Sequence, residues 1–457
     1  MGKKYNFDYL IIGSGPAGGT AARLLAANKK LRIGLVEAQD FGGSNLCTRD
    51  IPHLVSQSFA HDFYNLSIAP EMSNQTLHFN FPSIASHQIA ITTLLGAGDT
   101  TRYKSLGITC ISGYAHFLDS HTIAVGDNQY AAENFILASG AKTSTGDIIG
   151  LDSVRCLTPD EVPRLRRQPK FVFIIGGGPT GCEIAEYFAK LGTKAIIMEQ
   201  ASSLLPKEDP EAGNTLRDYF TNELGVMVVT DSKVVALEKD GTAKRVIFKS
   251  GSEDKVVRVD CVVLATGSTP CTDYGLENAG VHLNKNGGIM ANKFFQTTTK
   301  NIYAIGDCLG GNHSSTERAE YEASILADNI LHRSKGFADY KGFIRFINTC
   351  PSVACVGSTE ARLKRHRAKY KTSIVYLRNL PAAIVDGLDC GFVKIIASPR
   401  TGHILGATIV APHAELMATE LSLAIRHRST ILELASTPYM TNSYSYAIKL
   451  ATRQLIK

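Results

Sequence analysis

The chain has 457 residues, more than one hydrophobic core organises, so two to four domains are expected. Its 44% hydrophobic and 20% charged residues exclude the disordered and fibrous classes, and no apolar run is long enough to span a membrane. A net charge of +6 does not by itself indicate a nucleic-acid binder, and ten cysteines without C-x-x-C or zinc spacing point away from a disulfide framework and from a metal centre. Reduced thiols, and too few residues before the first apolar run for a signal peptide, predict a cytoplasmic protein without integral membrane association.

In chain order, the apolar run Tyr9 to Ile12 predicts a buried parallel strand and leads into Gly13-Ser14-Gly15-Pro16-Ala17-Gly18, followed by a helix rich in alanine and leucine. In this G-x-G-x-x-G pattern Gly13 makes the tight turn, Gly15 admits a pyrophosphate, and Gly18 lets helix and strand pack closely. The helix end supplies free N–H groups and a positive dipole. A second apolar strand, Ile33 to Val36, ends in Glu37, placed to accept hydrogen bonds from an adenosine ribose. Gly42 and Gly43 read as a loop, a helix is expected from about Ile51, and residues 65–105 read as helical in part. Short strands follow from Ile108, and Phe135 to Gly140 reads as a strand ending in a small-residue turn beside a ligand.

A second fingerprint opens at Phe171, with Gly176, Gly178 and Gly181 in the three glycine positions and the strand Ala195 to Met198 ending in Glu199. An acid there favours a free 2'-hydroxyl, and residues 200–206 contain no base, so NADH is expected rather than NADPH. Two fingerprints 163 positions apart imply two dinucleotide domains, which in one chain most often serve FAD and NAD(P)H. The strand at 261–267 repeats the small-residue turn, and Asn301 to Asp307 is a further strand with Asp307 at its carboxyl end, where a ligand of an open α/β sheet sits. Ser314 to Glu317 reads as a capping box opening a helix at 316–331, its positive end facing a flavin ring. From about residue 340 strands and amphipathic helices predict a third, α+β domain, in which the basic run Arg362 to Lys371 reads first as a solvated helix and turn.

The order of GSGPAG, Glu37, GGS with DIP, ASG, GGGPTGCE, ATG, IYAIGD, CPSVACVGSTEA and ILGATIV resembles the flavoprotein disulfide reductases, the family of glutathione reductase, dihydrolipoamide dehydrogenase and mercuric reductase. The resemblance covers nearly the whole chain. It implies an α/β fold with two Rossmann-like domains and a C-terminal α+β dimerisation domain: FAD domain 1–148 and 271–338, NAD domain 149–270, interface domain 339–457. It also implies a homodimer in which the C-terminal segment of one subunit completes the active site of the other. The flavin set is then Gly13, Gly15, Pro16, Ala17, Gly18, Glu37, Gly43, Ser44, Ala115, Ser139, Gly140, Asp307 and Thr316. The NAD set is Gly176, Gly178, Thr180, Gly181, Glu199 and Gly267.

The family's chemistry is where the sequence departs. Its redox cysteines, in the pattern G-G-T-C-x-x-x-x-C-I-P, are here Asn45 and Asp50, with Cys47 alone between them. Its C-terminal His-Pro-Thr-x-x-Glu is here Tyr439 to Tyr444, so the general acid and its carboxylate are missing, and thiol exchange lacks its groups. The PYMT text resembles the tyrosine version of this segment in mercuric reductases. Cys350 and Cys355 have a C-x-x-x-x-C spacing but fall at the start of a strand, where they read as small buried side chains. Glu183 matches a family glutamate near the nicotinamide. With His53 where the family has a lysine helix, a His53–Glu183 pair is expected. Asp50 against the flavin either donates a proton, if burial raises its pKa, or as a carboxylate disfavours the anionic reduced flavin. The expected activity is NADH oxidation of diaphorase type, with a small electron acceptor such as a quinone near Asn45, Asp50, Tyr439 and Tyr444. The alternatives are a non-turnover redox sensor binding FAD and NADH, and a disulfide reductase with relocated cysteines.

Overall fold

The computed structural model describes residues 5–69, 78–311 and 315–456. Apolar runs without alternation need cover on both faces, and the two such runs become central parallel strands. Leu10, Ile11, Val172, Phe173 and Ile174 are fully buried. In the first sheet Thr109–Ser112, Ile33–Glu37, Phe7–Ile12 and Asn128–Leu137 lie side by side in parallel. The strand Ile302–Ala304, from far down the chain, pairs in parallel with the end of Asn128–Leu137. An antiparallel arm, Ala115–Asp119 and Thr122–Val125, continues from the beginning of that same long strand.

The second sheet is inserted between these two stretches. Its parallel strands run Met227–Val229, Lys194–Met198, Phe171–Ile175 and Cys261–Leu264, with a three-stranded antiparallel layer from Ser232 to Val259. The chain leaves and re-enters the first sheet side by side, through antiparallel pairing of Ala141–Thr143 with Ser268–Pro270. The fold is thus α/β with two Rossmann-type units, followed by a five-stranded antiparallel sheet in the order Ile344–Ile347, Ser352–Gly357, Ile404–Ala411, Phe392–Ala397, Lys371–Tyr376.

Alternation along these last strands gives the third unit two working faces. Val353, Cys355, Phe392 and Val410 pack with Ile184, Phe188 and Phe220 of the second unit. Ala354, Val356, Val393, Ile395 and Ile409 pack under the helices Ala414–Arg426 and Tyr446–Gln454.

One sequence expectation is corrected here. Gly43 is the first residue of a short helix, Gly43–Cys47, rather than part of a loop; Gly42 and Gly43 both hold left-handed backbone at its start, with φ 115° and 65°. The helix Thr316–His332 is capped by Ser315, whose side chain accepts from the Arg318 N–H; Ser314, where the expected capping box begins, lies outside the described residues.

Charged side chains tie the second unit to the third. Arg345 donates bidentately to Glu208, at 2.8 Å from Nε to Oε1 and 2.7 Å from Nη2 to Oε2. The Lys394 ammonium, 1% exposed, meets Glu211 at 2.8 Å, Glu360 at 2.5 Å and Asp209 at 3.5 Å. The Glu208 side chain is 7% exposed, so losing its partner leaves an uncompensated buried charge. Arg345→Met is expected to cost about 3–5 kcal/mol, read as a lowered thermal midpoint. Adding Glu208→Met removes the stranded carboxylate and is expected to restore most of the loss. Equal losses in the single and double variants would show instead that the pair itself is the stabilising element.

Candidate active site

The first fingerprint is built by backbone pressed on backbone. Gly13 has φ 100°, and a Cβ there would sit 2.3 Å from the Ala138 carbonyl oxygen; a Cβ on Gly18 would sit 1.8 Å from the Gly13 oxygen. Pro16 fills the first turn of the helix Pro16–Leu25, where no N–H is needed, and Gly15 precedes it in extended backbone. Ala17 is buried beneath that first turn. The buried Glu37 carboxylate holds the loop: Oε2 accepts from the Ser14 N–H at 2.8 Å and the Ser14 hydroxyl at 2.6 Å, and Oε1 accepts from the Gln39 N–H at 3.0 Å. The Ser14 hydroxyl in turn accepts from the Gly42 N–H at 2.9 Å. That draws Gly43 so close to Gly15 that a Cβ on Gly43 would lie 2.5 Å from the Gly15 Cα. Ser44 follows, exposed.

The second fingerprint repeats this geometry. Gly176 has φ 111° and presses on Ala265, Gly181 presses on Gly176, and Glu199 accepts from the Gly177 N–H at 2.8 Å and the Ala201 N–H at 2.9 Å. Beside Gly178 and Gly267 a Cβ would meet nothing within 4 Å. The space at the start of the helix Pro179–Lys190, beside the half-buried Thr180, is open.

Asp307 follows the strand Ile302–Ala304 in a short turn whose Gly306 N–H is fixed by Glu322 Oε2 at 2.7 Å. Burial pushes its carboxyl up to about 6, against the opposing Arg318 charge. Its Oδ1 is buried without a hydrogen-bond partner in the protein, an acceptor of the kind a ribityl hydroxyl satisfies. Glycine cradle, helix end and orphaned acceptor together fit FAD, and the second cradle fits the other nucleotide. Ser139 donates to the Cys271 carbonyl at 2.7 Å, and Gly140, φ 69°, accepts from the Cys271 N–H. Both therefore bind the returning segment of the chain. Ala115 opens the antiparallel arm and is half-buried.

At the positions that replace the redox cysteines the side chains form a closed knot. Asp50 Oδ2 accepts from the Thr316 hydroxyl at 2.7 Å and the Asn45 amide at 2.8 Å, and the Asn45 amide also donates to Thr316 Oγ1 at 2.7 Å. Thr316 is the first residue of its helix, so the knot ties the loop to that helix end. Cys47 is buried, its Sγ turned to the Phe41 carbonyl at 3.4 Å, and burial pushes its thiol up to about 11. A thiol held protonated in this way is not a nucleophile.

The loop is stapled from a segment that the sequence reading did not single out. Asp160 accepts from the Thr48 hydroxyl at 2.6 Å and from Arg49 at 2.7 Å, and Arg164 donates to the Cys47 carbonyl at 3.1 Å. Arg49 and Asp160 stand 111 positions apart and belong to no spacing motif. The one signal for Arg49 is its place beside Asp50.

His53 and Glu183 do not pair. The His53 ring is buried, hydrogen-bonds the Pro159 carbonyl at 2.8 Å through Nε2, and burial lowers its pKa. Glu183 Oε1 accepts from the Asn348 N–H at 2.8 Å. Among the described residues no ion pair joins the two. Tyr439 donates to Glu420, and Tyr444 to Asp386 at 2.6 Å; burial and these carboxylates push both phenols up, so they stay protonated. Cys350 and Cys355 are free thiols, with Cys355 buried on the strand Ser352–Gly357.

Comparison with known proteins adds the following. A family model described as pyridine nucleotide-disulphide oxidoreductase matches residues 7–323, and one for that family's dimerisation domain matches residues 344–452. The chain is 30% identical over 462 residues to a mercuric reductase of Streptomyces lividans, covering 98% of this chain and 96% of that one. It is 30% identical over 421 residues to a soluble pyridine nucleotide transhydrogenase of Vibrio cholerae, covering 89% and 88% respectively. The HOCl-induced flavoprotein disulfide reductase RclA from Escherichia coli superposes with a TM-score of 0.86 at 24% identity, over 98% of this chain and 99% of that chain, a likeness of fold.

Burial pushes the Glu183 carboxyl up from 4.5 to about 7, with Asp50 and Glu186 adding and the Asn348 N–H opposing. The folded protein therefore binds this proton more tightly than the unfolded chain. The resulting stability is whole below about pH 4.5 and is lost as pH rises through about 7. Glu183→Gln is expected to flatten that loss by up to about 3 kcal/mol, measured as thermal midpoints at several pH values on either side of neutrality. An unchanged pH slope in the variant would refute the assignment.

Proposed function

The chain belongs to the pyridine nucleotide-disulphide oxidoreductase family, whose members are FAD-dependent enzymes, and from that premise we propose that it oxidises NADH and passes the electrons directly to a small acceptor such as a quinone. No dithiol stands between. The overall step balances as NADH, one proton and a quinone giving NAD+ and the quinol. FAD bound in the first cradle supplies the ring through which two electrons pass.

The observation that carries this reading is the Asn45–Asp50–Thr316 knot. Where the family keeps two thiols, this chain has a carboxylate, an amide and a hydroxyl satisfying one another, and the one thiol nearby is sealed. A thiolate is needed to attack a disulfide. None is supplied here. Hydride and electron transfer to a flat acceptor needs only apposition and polar groups that orient its oxygens. Asp50 keeps acceptor capacity beyond the knot for the quinol hydroxyl, its carboxylate fixed by Asn45 and Thr316 and its loop by the Asp160 staple. Glu183, at the start of the second cradle's helix, holds or releases a proton near neutrality beside the nicotinamide. In a homodimer formed through the C-terminal domain, the aromatic faces of Tyr439 and Tyr444 complete the acceptor pocket of the other subunit. Glu199 and the absence of bases at 200–206 favour NADH over NADPH. Among the described residues no helix is long and apolar enough to cross a membrane, in keeping with work in the cytoplasm.

The test is anaerobic rapid mixing of the yellow holoprotein with NADH, and separately NADPH, followed by menadione. The expected result is loss of the oxidised-flavin absorbance at least about tenfold faster with NADH, equivalent to roughly 1.4 kcal/mol, and its rapid return with menadione. The number of thiols that react with an alkylating agent should be the same before and after NADH. Two new thiols after NADH would mean a relocated disulfide instead. Reduction that no acceptor reverses would mean a sensor without turnover, and no absorbance change with either nucleotide would refute the enzyme.

A further inference from the structure

Six of the 48 lysines and arginines lie in the ten residues Arg362–Lys371 and no acid does, which leaves 42 bases against 42 acids in the rest of the chain. The entire net charge of +6 therefore sits in one short stretch. The fold puts that stretch outside. It starts in the helix Glu360–Arg365, turns at Arg367 in left-handed backbone with φ 54°, and ends in the edge strand Lys371–Tyr376 of the C-terminal sheet. Arg362, Lys364, Arg365, His366, Arg367 and Lys369 are exposed, and Leu363 alone of the ten residues is buried.

The carboxylate nearest in sequence is already engaged. Glu360 meets Lys394 at 2.5 Å and accepts from the Tyr370 hydroxyl at 2.7 Å, leaving a 3.6 Å contact to Lys364. Among the described residues Arg362, Arg365, Arg367 and Lys369 have no ion-pair partner. A solvated face is ordinarily mixed in sign, as the remainder of this chain is. This one is not.

The surroundings select the partner. No large apolar side chain is exposed between Phe346 and Tyr376, so the patch offers no anchor to bury in a pocket of another protein. Its one exposed aromatic ring is the small His366 imidazole, and a single ring makes no platform for successive unpaired bases. A projecting, purely cationic turn needs no pocket when it meets a dense plane of phosphates, and arginine forks match phosphate oxygens. We propose that Arg362–Lys371 docks this protein reversibly on anionic lipid surfaces. The proposal is independent of the electron acceptor and stands or falls separately from it.

The test is cosedimentation of the full-length holoprotein with phosphatidylglycerol–phosphatidylcholine vesicles and with phosphatidylcholine alone, at low and high salt. Duplex DNA of equal phosphate concentration serves as competitor. Binding is expected only with the anionic vesicles, to be lost at high salt, and to survive the competitor. Combining Arg362→Gln, Arg365→Gln and Arg367→Gln is expected to weaken vesicle binding about a hundredfold, at about fivefold per cation, with flavin content and NADH oxidation unchanged. Failure to bind anionic vesicles, or full binding by the triple variant, would overturn the proposal. Release by the duplex would assign the patch to nucleic acid and overturn it equally.

Discussion

The carboxylate at the end of the second strand of each nucleotide unit holds the glycine loop at the end of the first, and in the flavin unit much of the site hangs from that contact. Glu37 fixes the Ser14 amide and hydroxyl, and the Ser14 hydroxyl fixes the Gly42 amide. Gly42 turns the chain so that Gly43 lies on Gly15 and begins the helix Gly43–Cys47, which carries Asn45 to Thr316. A charge-assisted contact inside the sheet thus sets the position of the side chains that replace the redox cysteines. The second unit uses the same device more sparingly. Glu199 accepts two hydrogen bonds, both from backbone amides, where Glu37 accepts two from amides and a third from the Ser14 hydroxyl, so more of its lone-pair capacity remains for a ribose.

Replacing two cysteines by asparagine and aspartate changes what the loop between them must do. A dithiol has to break and form bonds, and it works best with a thiolate poised near ambient pH. The Asn45–Asp50–Thr316 knot asks for the opposite, a set of groups that stay where they are. The staple from residues 159–164 fits that demand: the Pro159 carbonyl, Asp160 and Arg164 between them engage His53, Thr48, Arg49 and Cys47. The segment that carries the former redox positions is thereby held from outside its own domain core. Its rigidity comes from contacts to the strand-bound end of the second unit.

The parts of this arrangement that the sequence displays are those set by local spacing. Gly18 and Gly181 are readable because the clash that forbids a side chain there is with Gly13 or Gly176, within six residues, and the spacing carries Gly13 and Gly176 with them although their own clashes are with the distant Ala138 and Ala265. Asp307 is readable because it ends a strand next to a turn. The misreadings concern partners far away in the chain. His53 is drawn to a carbonyl 106 positions on, and Glu183 to an amide 165 positions on, so pairing them with each other followed chemistry without the topology. The cap of the helix Thr316–His332 is a different case. Both serines precede an apolar-periodic helix, and a glutamate three residues after Ser314 favours it on pattern, while the backbone decides by placing Ser315 in extended conformation with its side chain on the Arg318 amide. The short helix at Gly43 was hidden because two consecutive glycines suggest a loop, and both do take left-handed backbone where Gly43 packs on Gly15.

The C-terminal domain does more than offer a surface to a second subunit. The helix that opens the nicotinamide cradle, Pro179–Lys190, sends two carboxylates into it: Glu183 accepts from the Asn348 amide and Glu186 from the Cys350 amide, each at 2.8 Å. Glu186 is buried and also paired with Lys190 at 2.9 Å, so its charge is met from its own helix. Glu183 has no such cation, and burial raises its pKa to about 7. Two carboxylates one turn apart thus carry different burdens. Burial raises both, but at the inner one the Lys190 ammonium and the Cys350 amide oppose the rise, and that carboxylate locks the helix to the third domain; the outer one has only the Asn348 amide against it. Asn348 completes the brace by exchanging amide bonds with Gln57 of the helix that follows Asp50, at 2.8 Å and 3.0 Å. Through Asn348 the loop of the third domain therefore contacts both the helix of the second cradle and the helix that begins at Asp50. A displacement of that loop would therefore pull on both helices at once.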